Sequence, residues 1–332
     1  MQTVVHAENV EIRRPDRAAG QAHPDFLLPA AWRDAAIEPL TGDASARRYF
    51  RLRTAAGTAV LMDASRCRES LAPFLQVGEQ LLKLHLSAPV VLARDEVQGY
   101  LLLEDFGDAT FSALLDRGAD PFSYLGLGVD LLTALHADPA PVPTGLRVYD
   151  VDRMLSDLEL FLEWSTPGLE PGVHEEFRAA WRAVLPLAHR VPSSLLLRDY
   201  HAGNLMFLAR RKGVRRVGLL DFQDAYAGPV TYDLVSLIED ARRPLPDDVR
   251  QKLIDRYLAQ RPALDAETFA DSLAAVAALR HTRVLAVFER LHRQGRTEYR
   301  ERHSAHVGQL LRRALARPEL RPVRDWMQRY AW

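Results

Sequence analysis

The chain of 332 residues is more than twice as long as a typical domain of about 100–150 residues, so we expect two lobes. Hydrophobic residues make up 48% of it and charged residues 26%, which excludes a disordered or fibrous chain. The net charge of −1 removes the electrostatic argument for nucleic acid or an anionic membrane as a partner, and the single cysteine, Cys67, excludes an internal disulfide.

The first residues are polar and interrupted by proline, so residues 1–24 are predicted to be a poorly ordered extension. They lack the apolar stretch of a secretory signal, and no apolar run approaches the roughly 20 residues that span a bilayer. We therefore expect a cytoplasmic protein, and we expect it to be a monomer.

The next part of the chain is predicted to be a small lobe, residues 25–105. Apolar residues recur at helical spacing from Phe26 to Ile37. Short β-favouring segments follow at Arg47–Arg53, Ala59–Ala64, Val90–Ala93 and Tyr100–Glu104. Leucines and a phenylalanine spaced for one buried face predict a helix over 70–86. The pattern indicates a small antiparallel sheet with one inserted helix.

Residues 106–332 are predicted to form a larger, mainly helical lobe after a hinge near 104–108. Helices are expected over 110–116, 122–137, 150–164, 173–190, 230–241, 247–260, 266–292 and 304–316. A short pair of strands, 205–208 and 216–220, interrupts them. The expected fold class is therefore α+β with two lobes.

The strongest chemical motif is LLLRDYHAGNLMFL (195–208) followed by VGLLDFQDAY (217–226). Asp199 and Asn204 lie in a glycine-containing loop, and Asp221 follows an apolar segment where a strand would end. Three such oxygen ligands suit Mg²⁺, which takes a few carboxylate or amide oxygens together with substrate phosphates. Each residue alone is more often a turn or helix cap. The spacing of all three favours the metal site.

These residues also carry a resemblance. The segment from Asp199 to Asn204 resembles the D-x-x-x-x-N of kinase catalytic loops, and DFQ (221–223) resembles the DFG metal motif. RDYHAGNLM and LLDFQDAYAGPVTYDLVSLIEDAR are similar to the aminoglycoside-phosphotransferase branch of kinase-like proteins. Within that branch the chain most resembles the anomeric kinases of N-acetylmuramate and N-acetylglucosamine in cell-wall recycling, across roughly residues 40–310.

The resemblance implies a protein-kinase-like fold with ATP bound between the lobes, and phosphorylation of an anomeric hydroxyl of an amino sugar in peptidoglycan recycling. It gives Asp199 the role of orienting the hydroxyl and accepting its proton. Asn204 and Asp221 would hold Mg²⁺. The counterpart of Asp233 braces the catalytic loop in the family, so we assign this residue a structural role.

The nucleotide is expected to contact two segments. GDASARRYF (42–50) is as consistent with an ordinary hairpin turn as with a phosphate cover, and the resemblance favours the cover. YLLLEDFGD (100–108) is a strand end that the resemblance makes an adenine-binding hinge. The predicted nucleotide-binding residues are Gly42, Asp43, Ala44, Ser45, Arg47, Arg48, Glu104 and Phe106.

The sugar pocket is predicted on the long helix 266–292. Arg280 and Arg283 are i,i+3 neighbours that could face sugar hydroxyls or a lactyl carboxylate, and His281 lies beside them. A solvated basic face explains the same pattern. Tyr226 could be a platform for the sugar ring, although aromatic residues are more often core.

The chain departs from protein kinases in ways that leave other functions open. VLMDA (60–64) has Met62 and Asp63 where a protein kinase carries its strand lysine. The family that the chain resembles lacks this lysine too. Arg47, Arg48 or Mg²⁺ must then supply positive charge, and Leu197 replaces a usual histidine before the loop. The alternatives are an aminoglycoside or other small-molecule hydroxyl kinase, and a catalytically silent kinase-like scaffold.

Overall fold

The structure is a computed structural model that describes residues 28–40 and 47–332, so the predicted extension 1–24 lies outside the described residues. By its contacts the chain divides into two units. The first takes in the described residues up to Ala72 together with Val90–Asp105, and the second takes in Pro73–Pro89 and Phe106–Trp332. Most of the helix predicted over 70–86 groups with the second unit.

The first unit is a five-stranded antiparallel sheet in the order β1-β2-β3-β5-β4. Its strands are β1 (Ala36–Leu40), β2 (Arg48–Thr54), β3 (Gly57–Asp63), β4 (Val91–Asp95) and β5 (Tyr100–Glu104). The helix predicted from Phe26 to Ile37 is wrong in its described part, which holds a short 3₁₀ turn and then β1. Ile37 pairs with Leu52 of β2, so pairing with a neighbouring strand outweighs the local helical spacing.

The core of this sheet forms because alternate residues of a strand point to the same face. Leu52, Ala59, Leu61, Tyr100 and Leu102 make one buried cluster. Leu52 lies opposite Ala59, and Leu61 lies opposite Leu102, so cross-strand pairs supply most of it. Burial of this cluster fixes the register in which β2 pairs with β3.

The second unit is mainly helical, which confirms the predicted α+β class. Its helices are α1 (Leu71–Lys83), α2 (Phe111–Asp116), α3 (Pro121–Ala137), α4 (Val151–Trp164), α5 (Pro171–Val184), α6 (Thr231–Ile238), α7 (Asp247–Ala259), α8 (Ala266–Arg293), α9 (Glu298–Leu315) and α10 (Arg321–Tyr330). The helix predicted over 173–190 ends at Val184 and continues as a 3₁₀ turn containing Pro186, which lacks the N–H that an α-helix needs. The sequence pattern missed α10.

Two short antiparallel ladders lie within the second unit. β7 (Leu205–Phe207) pairs with β8 (Val217–Leu219), as predicted, and β6 (Ser193–Leu196) pairs with β9 (Tyr226–Pro229), which was not predicted. Gly218 is required in β8, because a Cβ there would lie 2.8 Å from the Phe106 ring. The two ladders frame the segments that carry the predicted catalytic and metal-binding residues.

Candidate active site

The loop between β6 and β7 is fixed by a buried carboxylate from α6. Asp233 Oδ2 accepts a hydrogen bond from the Leu197 N–H at 2.6 Å, and Oδ1 accepts one from the Arg198 N–H at 2.9 Å. Arg198 has a φ of +69°, a left-handed conformation that a side chain adopts at some cost. This bend precedes Asp199, whose side chain is half-buried. Asp233 therefore holds the main chain from which Asp199 projects.

Asn204 joins the loop to the segment that contains Asp221. Its side-chain Nδ2 donates to the Asp199 carbonyl oxygen at 3.0 Å, and its own carbonyl oxygen accepts from the Leu220 N–H at 3.0 Å. Leu205 and Leu219 are partners in the β7–β8 ladder. Asn204 and Asp221 therefore extend from the same end of that ladder, and the structure brings the three motif residues into one region of the second unit.

Asp221 is held in a strained backbone conformation by its neighbours. Its φ is +58°, and the next residue, Phe222, is buried and stacks on Phe74 of α1 with ring centroids 4.8 Å apart. Gln223 Nε2 donates to Asp221 Oδ1 at 3.2 Å. A left-handed non-glycine residue that is fixed on both sides often marks a functional position.

The loop also fixes the ring of His201, which the sequence did not single out for a role. Gly203 donates its N–H to His201 Nδ1 at 3.1 Å, so this nitrogen carries no proton. Burial lowers the pKa of His201, with the nearby Asp240 and Arg242 charges acting in opposite directions. The other ring nitrogen, Nε2, lies 3.5 Å from Arg242 Nη1.

The donor set of the two motif segments fits a hard cation. Asn204 uses Nδ2 for the loop, which leaves Oδ1 as a ligand atom, and Asp221 supplies a carboxylate. Within the described ranges, no group of three or more His, Cys, Asp or Glu side chains could hold a metal by itself. An amide and a carboxylate suit Mg²⁺ that takes its remaining ligands from phosphate oxygens and water.

The structure corrects part of the predicted sugar pocket. His281 is fully buried and its Nε2 lies 2.7 Å from Glu239 Oε2, while Arg280 is 7% exposed and donates to Ser236 Oγ at 2.8 Å. Both partners lie on α6 or at its end, because α8 packs against α6 as well as α4 and α9. Their positions are those of core residues and not of substrate contacts.

Burial alone raises the pKa of Glu239, but hydrogen bonds and charge from His281 and Arg250 outweigh it and lower the pKa to about 2. Burial lowers the pKa of His281, which points to a neutral ring that donates to Glu239 through Nε2–H. The unpartnered, buried Nδ1 of His281 agrees with this tautomer. Glu239, His281 and Arg250 therefore form a polar group that joins the end of α6 to α7 and α8.

The other two predicted sugar residues lie in a different group. Arg283 is about one-third exposed, with Nε 3.6 Å from Asp157 Oδ2. The Tyr226 ring is buried and lies under the guanidinium of Arg147, with Cζ 4.4 Å from the ring centroid. Asp157 and Arg147 were missed in the sequence, although the four-residue spacing of Arg153 and Asp157 is a signal for one helix face.

Four of the predicted nucleotide residues, Gly42, Asp43, Ala44 and Ser45, lie outside the described residues. Arg47 is half-buried, and Arg48 forms an ion pair with Asp63, its cross-strand partner. Burial raises the pKa of Asp63, but hydrogen bonds from Ser65 and Arg48 outweigh it and lower that pKa. Asp63, which stands where protein kinases have a lysine, therefore holds Arg48 on the sheet.

The predicted hinge residues flank the break between the two units. The Glu104 N–H donates to the Val90 carbonyl oxygen at 2.8 Å, so this donor is already used within the first unit. The Phe106 ring packs on Gly218 and lies under the Arg211 guanidinium, with Cζ 5.1 Å from the ring centroid. The adenine contacts assigned to these two residues stay a prediction.

Comparison with known proteins agrees with this architecture. The profile of the phosphotransferase enzyme family matches residues 36–267. The chain is 31% identical over 346 aligned residues to the N-acetylmuramate/N-acetylglucosamine kinase of Caulobacter vibrioides, covering 92% of this chain and 94% of that protein. It is 32% identical over 317 residues to the kinase of the same name from Pseudomonas putida, covering 89% of each.

A choline/ethanolamine kinase family protein from Mesorhizobium loti has a similar structure, with a TM-score of 0.59 at 16% identity over 89% of this chain and 94% of that chain. This likeness confirms the predicted kinase-like fold. The resemblance predicted from the sequence motifs is confirmed by the family match. Within the described ranges, no helix combines the length and the apolar composition that crossing a bilayer requires.

Proposed function

The chain belongs to the phosphotransferase enzyme family, and we propose that it is an ATP- and Mg²⁺-dependent kinase of the anomeric hydroxyl of an amino sugar, N-acetylmuramate or N-acetylglucosamine. One observation carries the proposal. A loop with Asp199 and Asn204 adjoins Asp221 in a chain that matches relatives named for these sugars over about nine-tenths of its length.

Each motif residue has a proposed role that its position supports. Asp199 orients the attacking hydroxyl and accepts its proton, because its carboxylate is half-buried on a loop that Asp233 fixes. Asn204 Oδ1 and the Asp221 carboxylate hold the metal. Bound Mg²⁺ would neutralise charge on the ATP phosphates.

Alignment contributes more to this reaction than a strong base does. Phosphoryl transfer passes through a loose transition state, so the protein accelerates it by positioning and charge neutralisation. An anomeric hydroxyl is more acidic than a simple alcohol, and a carboxylate of ordinary basicity is sufficient to accept its proton. The hydrogen bonds that fix Asp199 and Asn204 in place therefore contribute to catalysis through alignment.

The proposal is tested by incubating the full chain with Mg·ATP and a panel of amino sugars and aminoglycosides. We expect ADP release together with loss of the reducing-sugar signal, since phosphorylation of the anomeric carbon removes the reducing end. ADP release with the reducing end retained would refute the anomeric assignment. Release only with an aminoglycoside would favour an antibiotic kinase, and no release with any acceptor would indicate a silent scaffold.

The metal assignment has its own test. Asp221→Ala should raise the Mg²⁺ concentration that half-maximal activity requires by about 10-fold or more, because one of two protein ligands is lost. Asp255→Ala removes an exposed carboxylate on α7 and is the control. An unchanged Mg²⁺ requirement in Asp221→Ala would remove this residue from the proposed metal site.

A further inference from the structure

Beside the catalytic loop, arginines surround a single carboxylate. Asp157 of α4 is buried, and its Oδ1 accepts from Arg153 Nη2 at 2.6 Å. Its Oδ2 accepts from Arg198 Nη2 at 2.5 Å and from the Tyr149 hydroxyl at 2.9 Å. Arg283 of α8 approaches the same oxygen. The arginine cluster is defined here as these three arginines and Asp157, together with Arg147, which lies on the neighbouring Tyr226 ring.

The cluster carries an excess of positive charge. In the part of the chain that the structure describes, Asp157 is the one carboxylate that forms an ion pair with any of its arginines. Arg147 lies over the Tyr226 ring, and Arg198 lies over the same ring with Cζ 5.2 Å from the centroid. One carboxylate and one aromatic ring cannot neutralise four guanidinium groups, so the cluster favours a further anion.

Two of its arginines keep donors for that anion. The Arg283 Nε is 3.6 Å from Asp157 Oδ2, which is too long for a hydrogen bond, and its side chain is 34% exposed. Arg153 is 41% exposed, and its buried Nε has no hydrogen-bond partner. A guanidinium has five donors, and its planar fork matches a carboxylate. Arg153 and Arg283 can therefore bind a second carboxylate while Asp157 stays in place.

The cluster adjoins the reacting groups. Arg198 directly precedes Asp199 in the chain. Tyr226 lies opposite Leu196 in the β6–β9 ladder, at the point where the catalytic loop begins. An acceptor hydroxyl at Asp199 would thus place the rest of a sugar within reach of the arginines.

We infer that the arginine cluster binds a carboxylate of the acceptor sugar and sets a preference for an anionic amino sugar. This inference rests on the proposed function. N-acetylmuramate carries a lactyl carboxylate, and N-acetylglucosamine has a hydroxyl in its place. Arg153 and Arg283 donate to the carboxylate, and the buried Arg198 is a positioning residue that acts through Asp157.

The test compares both sugars in Arg153→Gln, Arg283→Gln and the double variant, with kcat and KM measured separately. We expect KM for N-acetylmuramate to rise about 10-fold or more in each single variant, as for a lost charge-assisted hydrogen bond. Both constants for N-acetylglucosamine should change by less than about 2-fold. Arg283→Lys, which keeps the charge, should recover part of the loss.

The control is Arg293→Gln, which removes the same charge from the same helix about 15 Å further along it. It should leave both sugars unchanged, and unfolding temperatures should show that every variant folds. An equal loss for both sugars in the cluster variants would overturn the inference, because a structural role acts on both. No loss for either sugar would overturn it as well.

Binding without ATP separates this inference from the proposed function. Calorimetry should show that the wild type binds N-acetylmuramate more tightly than N-acetylglucosamine, and that Arg283→Gln removes the difference. That result supports the arginine cluster as the carboxylate site even if turnover fails and the proposed reaction is wrong. Equal affinity for the two sugars in the wild type would overturn the inference even if both are phosphorylated.

Discussion

The loop between β6 and β7 and the arginine cluster meet at the Arg198–Asp199 peptide, yet they are held in different ways. The loop is held through its main chain. The Asp233 carboxyl group accepts hydrogen bonds from two loop N–H groups, and the Asn204 side chain donates to a loop carbonyl. Side-chain charges hold the cluster around Asp157. The first arrangement fixes a geometry whatever the substrate, and the second is adapted to a charged one. The predictions below test whether these two frameworks are separable.

The largest effect is expected from Asp199→Asn. It should lower kcat by roughly 10²–10⁴-fold, the contribution of a positioned general base, and leave nucleotide affinity and the unfolding temperature nearly unchanged. Asp255→Asn, an exposed carboxylate on α7, is the control. Full activity would refute the role of Asp199. A large loss of stability would mean that the side chain belongs to the framework and not to the chemistry.

The loop residues could be predicted from the sequence because they lie close together along the chain. Asp199 and Asn204 lie five positions apart, and Asp221 follows an apolar segment, so local pattern alone placed them. Hydrogen bonds from Asn204 Nδ2 to the Asp199 carbonyl and from the Leu220 N–H to the Asn204 carbonyl join the two segments that carry these residues. The roles of the three side chains in catalysis and metal binding stay predictions.

The cluster could not be predicted, because its members come from separate elements that only the fold brings together. Arg153 and Asp157 share a helix face, but the sequence does not indicate that Arg198 and Arg283 meet them. The same limit explains the error at His281. Helical spacing gives a face of α8, and only the packing shows that this face is enclosed by α6.

The next largest effect tests the cluster. Asp157→Ala leaves Arg198 buried without its counter-ion, and we expect it to lower the free energy of unfolding by about 4 kcal/mol. Asp152→Ala, an exposed residue on the same helix, should cost less than about 0.5 kcal/mol. Urea unfolding measures both. A small effect of Asp157→Ala would show that the cluster contributes little to the framework.

The corresponding change in the loop is Asp233→Ala. It leaves the N–H groups of Leu197 and Arg198 buried without an acceptor, and we expect a loss of about 3 kcal/mol when unfolding is measured near pH 5. Activity on both sugars should fall together, since the loop serves either substrate. A loss for the anionic sugar alone would mean that the two frameworks are not separable.

Asp233 also gives the loop a pH dependence. Burial raises the pKa of its carboxyl to about 7, although the Leu197 and Arg198 N–H groups act in the opposite direction. The folded state therefore keeps a proton that the unfolded state releases near pH 4, so stability from this group is present below pH 4 and is lost as pH rises through 7. The free energy of unfolding should fall by roughly 1 kcal/mol per pH unit between these limits relative to Asp233→Ala. Parallel pH profiles of the two proteins would contradict this prediction.

The smallest effect compares two buried tyrosine hydroxyls, one in each framework. Tyr149 donates to Asp157 at 2.9 Å in the cluster, and Tyr200 donates to the Gly128 carbonyl at 2.8 Å beneath the loop. Tyr149→Phe should cost about 0.5–1 kcal/mol, since Asp157 keeps its arginine partners.

Tyr200→Phe should cost a similar amount, about 0.5–1.5 kcal/mol, because the Gly128 carbonyl lies inside α3 and keeps its helical hydrogen bond. Urea unfolding of the two variants gives the difference directly. If Tyr149→Phe costs as much as Asp157→Ala, the hydroxyl and not the arginine charge holds the cluster together. A carboxylate that several cations surround tolerates the loss of one neutral donor, and a helical carbonyl tolerates the loss of a side-chain donor because it keeps its main-chain donor.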